Sequence, residues 1–406
     1  MNILLINHYA GSPEMGMEFR PYYFAREWVR AGHHVQIIAG DFSHLRKENP
    51  KVEKDLQYED VDGIQYCWIK AGRYEGNGLS RALTMFRFCY KLRKYADRIL
   101  EKARPDVIIT SSTYPLDTFP AQYMRKKCHA KLIHEVHDMW PATLIELGGM
   151  SKYHPFVQMI QVGENSAYRK SDKVVSLLPC AKDYMVRHGM KADKFICIEN
   201  GVVDDDWKNP LPLPQGMEKE LTVLKEDGKF IVGYFGGHAL SNALGNLLKA
   251  AEKIHNDKIH FVLVGKGIEK EKLKTYAKEH RLQNISFFPA VQKGSIPNLL
   301  KYFDISYCGA KESALYQYGI SLNKIYDSLY AGVPILLAFH ANGNLIEKYH
   351  CGAVSKGEPA EIAKKIEDLF SMENEEKMKM SANGKKIIEE KYLISKLALD
   401  FINIMS

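Results

Sequence analysis

The sequence predicts an α/β fold of two doubly wound parallel sheets, one in each half of the chain, that face each other across a cleft. Short apolar strand patterns alternate with longer helical patterns in both halves, and a proline-rich stretch without periodicity separates them. The length of 406 residues also exceeds what one hydrophobic core normally serves. These observations predict domains at residues 1–205 and 229–385, a linker at 206–228, and a C-terminal helix at 386–406 that packs back towards the first domain.

The composition disfavours several classes of protein. Apolar residues make up 46% and charged residues 26% of the chain, which is usual for a globular protein. The chain starts with the strand-like MNILLINHYA rather than a basic leader, and no apolar run approaches the ~20 residues of a membrane helix. The seven cysteines form no CxxC pair, and no nucleic-acid-binding motif accompanies the net charge of +7. We therefore expect a cytoplasmic protein with reduced thiols and no nucleic-acid partner.

The first half opens with a parallel strand-helix-strand unit. The strand ILLIN is followed by the loop GSPEMG, by a helix that ends near Gly32, and by the strand HHVQIIAG. Ligands of such units bind at the carboxyl end of the strand, where Gly16, just before Met17, lets a ligand approach the backbone. The loop lacks the GxGxxG fingerprint, which disfavours a nicotinamide cofactor. Further strands are predicted at 106–112, 131–138, 173–178 and 195–201.

Polar side chains crowd the end of the strand that starts at Lys131. The sequence HEVHDMWP places Glu135 and His137 on one face of the strand, and His134 and Asp138 on the other. Zinc binding is disfavoured because the ligands are split between two faces. Two interpretations of Asp138 stay open, a functional carboxylate and a cap for the following helix. The acidic residues at 204–206 are compatible with a DxD metal motif, but their position directly after a strand and a glycine favours a turn.

A basic helical pattern runs from Arg81 to Arg104. In this stretch Arg and Lys alternate with Leu, Met, Phe, Tyr and Ile at helical spacing. One interpretation is a helix that lies on an anionic membrane surface, which would make the protein peripheral on the inner face of the cell membrane. The other is a solvated basic face above a packed apolar face.

The second half repeats the plan of the first. Strand patterns occur at 230–242, which includes the Gly236-Gly237 loop, and at 260–267, 285–291 and 304–310. The stretch YGISLNKIYDSLYAGVPILLAF at 318–339 then predicts a loop, a helix, a turn at Gly332 and a buried strand. The chain ends in a strongly helical pattern.

The helix within this stretch suits a nucleotide or a nucleotide sugar. The N–H groups and dipole at its start favour a phosphate, and Asn323 and Lys324 lie in its first turn. Asp327, one turn beyond Asn323, can accept hydrogen bonds from two sugar hydroxyls. An ordinary capped core helix is the alternative interpretation.

Taken together, these segments resemble the family 4 retaining glycosyltransferases of the GT-B fold, and among them the bacterial O-antigen and capsule sugar transferases such as the N-acetyl-L-fucosamine transferases. The resemblance covers nearly the whole chain and is carried by AGHHV, HDMWPATLIELG, SAYRKSDKVV, IENG, VGKG and SLNKIYDSLYAGVPIL. Two features depart from the family pattern. Gly319 stands where the family usually has the first of two Glu residues, with Asp327 at the second, and YFGGHALSN lacks the usual Arg and Lys.

The resemblance implies a metal-independent transferase of the hexosyl or acetylamino-sugar type, with no cofactor. It would move a sugar from a nucleotide diphosphate sugar, most commonly a UDP-sugar, to a glycan or lipid-linked acceptor in bacterial surface polysaccharide synthesis. The second domain would bind the donor and the first domain the acceptor. The implied catalytic residues are Asp138, His137 and Lys324, and the implied donor contacts are Gly16, Met17, Gly236, Gly237, Ala290, Val291, Gly319, Ser321, Leu322, Asn323 and Asp327.

Two other functions stay open. A nucleotide-sugar 2-epimerase has the same architecture but needs several carboxylates for proton abstraction and elimination, and this sequence places few near the predicted strand ends. The second alternative is a homologue that binds a nucleotide sugar without turnover. Gly319 keeps this alternative open, because it replaces a carboxylate that commonly contacts the donor sugar in the family.

Overall fold

The structure, a computed structural model, describes residues 1–16, 19–76 and 78–406. Within these ranges the chain divides into two compact units. The first consists of Met1–Glu199 and Ile394–Ser406, and the second of Asn200–Leu393. Each unit is built on its own sheet with parallel strands at its centre, so the α/β fold class predicted from the alternating patterns is confirmed.

The first unit contains an eight-stranded sheet in the order β3-β4-β2-β1-β5-β6-β7-β8. Neighbouring strands are parallel except for the antiparallel pair β3 and β4. This hairpin is missing from the predicted strands, although its Asp62-Gly63 turn, in which both residues have positive φ, is a known hairpin signal. The strands are β1 Asn2–Ile6, β2 His34–Gly40, β3 Gln57–Val61, β4 Ile64–Ile69, β5 Val107–Thr110, β6 Lys131–Val136, β7 Lys173–Ser176 and β8 Phe195–Cys197.

Helices cover this sheet. They are α1 Phe19–Arg30, α2 Leu79–Lys94, α3 Ala96–Ala103, α4 Thr118–Cys128, α5 Ala142–Glu146, α6 Pro155–Lys170 and α7 Lys182–Arg187, with 3₁₀ turns at Pro115–Asp117 and Ala192–Lys194. Helix α4 contacts both α2 and α6. Leu4 of β1 and Leu132 of β6 belong to one buried cluster with Phe88 of α2 and Met124 of α4. Burial of these apolar side chains holds the helix layer on the sheet.

The second unit contains a six-stranded, fully parallel sheet in the order β11-β10-β9-β12-β13-β14. Its strands are β9 Phe230–Phe235, β10 Ile259–Val264, β11 Ile285–Phe288, β12 Ile305–Gly309, β13 Ile335–Ala338 and β14 Gly352–Val354. The first five lie within the predicted strand patterns, apart from the first residue of β10. The three-residue β14 is too short to give a periodic pattern.

The helices of the second unit begin inside the predicted linker. They are α8 Asp205–Lys208, α9 Gln215–Glu226, α10 Leu244–Lys253, α11 Lys270–Glu279, α12 Ile296–Leu300, α13 Asn323–Tyr330, α14 Leu345–Tyr349, α15 Pro359–Ser371 and α16 Asn374–Lys391, with 3₁₀ turns at Leu240–Asn242, Lys293–Ser295 and Ala314–Tyr318. Met217 and Leu221 of α9 are buried in the same cluster as Phe288. Residues 206–228 are therefore part of the second unit rather than a free linker, because one face of α9 is apolar.

The last helix, α17 Ile394–Met405, packs on α1 and belongs to the first unit. The ring of Phe401 lies edge-on to Phe24 and Trp28, with centroids 5.9 and 5.2 Å away. The indole N–H of Trp28 donates a hydrogen bond to the carbonyl of Ala398 at 3.2 Å. The segment predicted as a single helix at 386–406 is thus two helices, and the chain joins the first unit only from Ile394 onwards.

We expect Phe401→Ala to lower the free energy of unfolding of the first unit by about 3–5 kcal/mol, because it leaves a cavity between two aromatic rings. Leu399→Ala, on the exposed side of the same helix, should change it by less than about 0.5 kcal/mol. Urea unfolding followed by tryptophan fluorescence measures both. Equal stability of the two variants would contradict the packing of α17 on α1.

Candidate functional site

In the second unit, the ammonium group of Lys324 lies against the loop that follows β9. Its Nζ is 4.5 Å from the ring centroid of Tyr234, 3.4 Å from Tyr234 Oη and 3.5 Å from Asn242 Oδ1. Burial lowers the pKa of Lys324, opposed by the Cys308 thiol. Within the described part of the chain no carboxylate forms an ion pair with this ammonium. A partly buried cation without a carboxylate partner is poised to bind an anion.

The loop around Gly236 and Gly237 leaves space beside this ammonium. Gly236 has a φ of 138°, and a Cβ at this position would lie 3.3 Å from Tyr234 Oη and 3.5 Å from Lys324 Nζ. The carbonyl of Gly237 accepts hydrogen bonds from Tyr234 Oη at 2.6 Å and from Asn242 Nδ2 at 2.8 Å. The loop is therefore held in place by side chains, and a phosphate can approach its backbone closely.

His238 follows these glycines and is fully buried. No described group forms a hydrogen bond with either of its ring nitrogens. Burial, together with the positive charges of Lys270 and Lys324, lowers its pKa to about 4. The imidazole is therefore neutral near pH 7 and adds a polar group, rather than a second cation, to the loop.

Asp327 is a buried carboxylate on α13, one turn after Asn323. Burial raises its pKa to about 6; the charge of Lys293 opposes this rise and that of Asp206 adds to it. In the ranges that the structure covers, no group donates a hydrogen bond to this carboxylate. The carboxylate is thus available to accept hydrogen bonds from a diol, and Asn323 is exposed on the same helix.

The other residues predicted for the donor lie around the same strand ends. Leu322 occupies the N-cap position of α13, and its side chain cannot accept a hydrogen bond. The N–H groups in the first turn of the helix therefore have no side-chain acceptor from the N-cap residue. Ser321 is already occupied: its Oγ accepts from the N–H of Asn200 and its carbonyl from Asn200 Nδ2, both at 2.7 Å. Gly319, with a φ of 97°, ends the preceding 3₁₀ turn, and Ala290 and Val291 follow β11.

The sequence pattern does not reveal three residues of this cluster. Tyr234 looks like an ordinary strand residue, and Asn242 and Lys293 look like ordinary loop residues. Their proximity to Lys324 and Asp327 depends on which strand ends are neighbours, which no local pattern reveals.

In the first unit, Arg20 on α1 forms a buried ion pair with Glu135 on β6. The distance from Arg20 Nη2 to Glu135 Oε1 is 3.0 Å. The same guanidinium donates to the carbonyls of Ile198 and Glu199, each at 2.8 Å. One side chain therefore links α1, the end of β6 and the segment after β8.

Glu135 also contacts two of its neighbours. Ser111 Oγ donates to Glu135 Oε2 at 2.6 Å, and His137 Nε2 lies 2.9 Å from the same oxygen. Burial alone would raise the pKa of Glu135, but the charges of Arg20 and His137 and these hydrogen bonds hold it below its ordinary value. His134, on the other face of β6, is hydrogen-bonded to Thr110 at 2.8 Å. The predicted alternation of side chains along this strand is confirmed.

Asp138 lies beyond this network. Although the residue is exposed, partial desolvation of its carboxyl raises its pKa, which the charges of His137 and Arg81 oppose. The interpretation of Asp138 as a helix cap is wrong, because α5 begins after Pro141 without a side-chain cap. Arg81 lies 5.9 Å from the ring centroid of Trp140. A carboxylate, an imidazole, a guanidinium and an indole thus flank the end of β6.

The loop after β1 contributes less to the described site. Gly16 has a φ of 89° and its N–H donates to the carbonyl of Ser12 at 3.0 Å, so it forms a turn that requires glycine. Met17 lies outside the described residues. No three His, Cys, Asp or Glu side chains in the described ranges are arranged to hold a metal ion.

Comparison with known proteins identifies both halves of the chain. A glycosyl transferase 4-like domain matches residues 15–201, and a glycosyl transferases group 1 domain matches residues 218–387. The Pseudomonas aeruginosa protein named as glycosyltransferase WbjE is 22% identical over 325 residues, which cover 77% of this chain and 77% of that protein. The Escherichia coli (strain K12) protein named as colanic acid biosynthesis glycosyl transferase WcaI is 23% identical over 290 residues, 68% of this chain and 69% of that protein.

A solved structure shares the fold over the full length. Anabaena Alr3699/HepE in complex with UDP and glucose matches 100% of this chain and 99% of its own with a TM-score of 0.68. The sequence identity is 15%. This likeness shows the two-sheet GT-B architecture.

We expect Arg20→Ala to destabilise the first unit by about 3–5 kcal/mol, because Glu135 would be left buried and unpaired. Arg20→Ala combined with Glu135→Gln should recover part of this loss. The pair contributes stability above the unfolded pKa of Glu, about 4.3, and that contribution is lost as the pH falls further, since the folded pKa is lower. Urea unfolding at several pH values measures these effects.

The matched control is Arg30→Ala, which removes an exposed ion pair with Glu27 on the same helix. This change should cost less than about 1 kcal/mol. A similar cost for Arg20→Ala and Arg30→Ala would show that the buried pair does not stabilise the unit.

Proposed function

This chain belongs to the group 1 glycosyltransferases, and from that premise we propose that it transfers a sugar from a nucleotide diphosphate sugar, a UDP-sugar, to a glycan or lipid-linked acceptor. The observation that carries the proposal is the partly buried ammonium of Lys324, which lies beside Gly236 without a carboxylate partner among the described residues. The relative named for colanic acid biosynthesis and the HepE complex with UDP and glucose support this choice of pathway and donor. The setting would be bacterial surface polysaccharide synthesis in the cytoplasm.

The donor diphosphate would bind at Lys324. Its charge and the uncapped N–H groups at the start of α13 would neutralise the phosphates, while Gly236 and Gly237 allow them to approach the backbone. In the retaining reaction we propose, the leaving diphosphate accepts the proton of the acceptor hydroxyl on the same face of the sugar. The protein would then contribute positioning and positive charge, without a nucleophile or a metal.

The nucleoside would bind along the same helix. Asp327 would accept hydrogen bonds from the two ribose hydroxyls, and the backbone of Ala290 and Val291 would contact the base. Gly319 supplies no carboxylate at the place where the family usually has one, so other groups must recognise the sugar hydroxyls. Asn242, which is partly exposed beside Lys324, would contribute to this recognition.

The acceptor would bind the first unit. We assign Asp138 and His137 to the acceptor and sugar hydroxyls because both lie at the end of β6, with Arg81 close enough to Asp138 to oppose the rise in its pKa. We assign Gly16, in the loop after β1, to the donor phosphates rather than to the acceptor, as the family resemblance implies. A lipid-linked acceptor would also bring the enzyme to the inner face of the cell membrane.

We expect binding of a UDP-sugar to weaken as the pH falls through about 6, because protonated Asp327 loses its ability to accept both hydroxyl hydrogen bonds. Asp327→Asn should bind about tenfold more weakly above this pH, equivalent to ~1.4 kcal/mol, and should show no such pH dependence. Calorimetry measures both. A UDP-sugar is preferable to UDP, whose terminal phosphate itself titrates near pH 6.

Asp368→Asn is the matched control, since this carboxylate is exposed on α15 of the same unit. Screening GDP-, dTDP- and CMP-sugars beside UDP-sugars identifies the base. Unchanged binding in Asp327→Asn would place the ribose elsewhere, and the absence of any response in the wild-type protein would overturn the proposed donor.

We expect Lys324→Met to weaken UDP binding by about 10- to 100-fold, ~1.4–2.8 kcal/mol, with little effect on uridine, which has no diphosphate. The same change should slightly raise the melting temperature of the ligand-free protein, because it removes a partly desolvated charge without a carboxylate partner. Lys253→Met, at an exposed lysine of α10, is the control. Equal losses for UDP and uridine would contradict contact between Lys324 and the diphosphate.

Product analysis separates transfer from the two other functions. With an acceptor present, a transferase releases UDP and lengthens the acceptor. A 2-epimerase changes the UDP-sugar without any acceptor. A homologue without turnover binds the UDP-sugar but yields no product with any acceptor. This possibility remains because Gly319 replaces a carboxylate of the family pattern.

A further inference from the structure

The outer face of α2 carries an apolar stripe. Leu79, Leu83, Phe86 and Tyr90 are 77%, 44%, 36% and 67% exposed. Their spacing of four, three and four residues places them on one side of the helix. The opposite side already supplies Phe88 and other side chains to the core. Apolar side chains on both faces are more than the fold itself requires, so the outer stripe needs another explanation.

The charges of α2 are all positive. The helix contains five Arg and Lys residues and no Asp or Glu. By helical geometry, exposed Arg87 and Lys94 flank the stripe on one side and exposed Arg93 flanks it on the other. Lys91 points elsewhere and forms an ion pair with Asp55 at 2.9 Å. The basic face predicted from the sequence is thus a mixed surface of apolar and cationic side chains.

The neighbouring helix α4 extends this surface. The guanidinium of Arg93 lies 3.2 Å from the ring centroid of Tyr123 on α4. Phe119, on the first turn of α4, is also exposed. The surface therefore covers more than one helix.

The first turn of α2 lies at the proposed acceptor site. The guanidinium of Arg81 is 5.4 Å from the ring centroid of Tyr9, which follows β1, and 5.9 Å from that of Trp140, which follows β6. The helix that carries the apolar stripe therefore begins beside the strand ends that we assign to the acceptor.

We propose that the outer face of α2 docks on an anionic lipid bilayer. Leu79, Leu83, Phe86 and Tyr90 would enter the interface, and the flanking cations would contact lipid phosphates. An anionic bilayer is favoured over a protein partner by charge complementarity, because α2 carries five positive charges and no Asp or Glu. No described helix is long and apolar enough to cross a membrane, so this contact would be peripheral. Resting on the proposed function, it also assigns a bilayer-anchored acceptor to the enzyme.

Vesicle flotation tests the docking surface directly. We expect the wild-type protein to float with vesicles of phosphatidylcholine mixed with phosphatidylglycerol, and less with phosphatidylcholine alone. Two double variants, Leu79→Ser with Tyr90→Ser and Arg87→Glu with Lys94→Glu, should each bind the anionic vesicles about tenfold or more weakly. Added salt should weaken wild-type binding. Lys219→Glu with Val223→Ser, on the exposed side of α9, is the matched control and should bind like the wild type.

Two results would overturn the proposal: a wild-type protein that does not float with anionic vesicles, and α2 variants that float as well as the wild type. Variants that dissociate an oligomer in sedimentation while vesicle binding is unchanged would assign the surface to a second copy of the chain. Calorimetry with a UDP-sugar on the same variants provides a check on folding. It also keeps the two proposals apart, because vesicle binding does not require a functional donor site.

Discussion

The buried ion pair between Arg20 and Glu135 holds together the strand ends of the first unit. Arg20 reaches from α1 to β6 and to the carbonyls of Ile198 and Glu199, and Glu135 in turn contacts Ser111 after β5. Parallel strands align their carboxyl ends at one edge of a sheet, where irregular backbone would otherwise leave carbonyl groups unsatisfied. A guanidinium with several donors satisfies these carbonyls and the carboxylate at once. The ion pair thereby helps to fix the position of the polar side chains that follow β6.

The second unit also has charged side chains near the ends of its parallel strands, but they are not paired with each other as Arg20 and Glu135 are. The ammonium of Lys324 lies partly buried beside Tyr234 and Asn242 without a carboxylate partner in the described ranges. Asp327 on the same helix accepts no hydrogen bond from the described groups. Each arrangement costs free energy in the ligand-free protein. A nucleotide diphosphate would relieve both, since it offers an anion to the lysine and a diol to the carboxylate. This complementarity, rather than any single residue, supports the proposed nucleotide-sugar donor.

We propose that backbone groups and the side chains of neighbouring elements compensate for the departures from the family pattern. The loop at Gly236 lacks the usual Arg and Lys, yet the loop is held by Tyr234 and Asn242 directly against the ammonium from α13. On the first unit, the exposed face of α2 combines apolar side chains with cations next to the proposed acceptor residues. Under our proposals, one unit would bind a soluble donor and the other an acceptor presented at a membrane surface.

The sequence alone determined the α/β class, most of the parallel strands, the helix that carries Lys324 and Asp327, and the family resemblance, because strand and helix periodicity and short motifs are local properties. It did not predict the hairpin of β3 and β4, the packing of α9 in the second unit, or the break before α17. Only the tertiary structure decided that Arg20 pairs with a residue 115 positions away, that Lys324 has no carboxylate partner in the described ranges, and which face of α2 is exposed. The physical reason is that burial and charge pairing depend on which distant segments become neighbours, and local patterns do not contain that information.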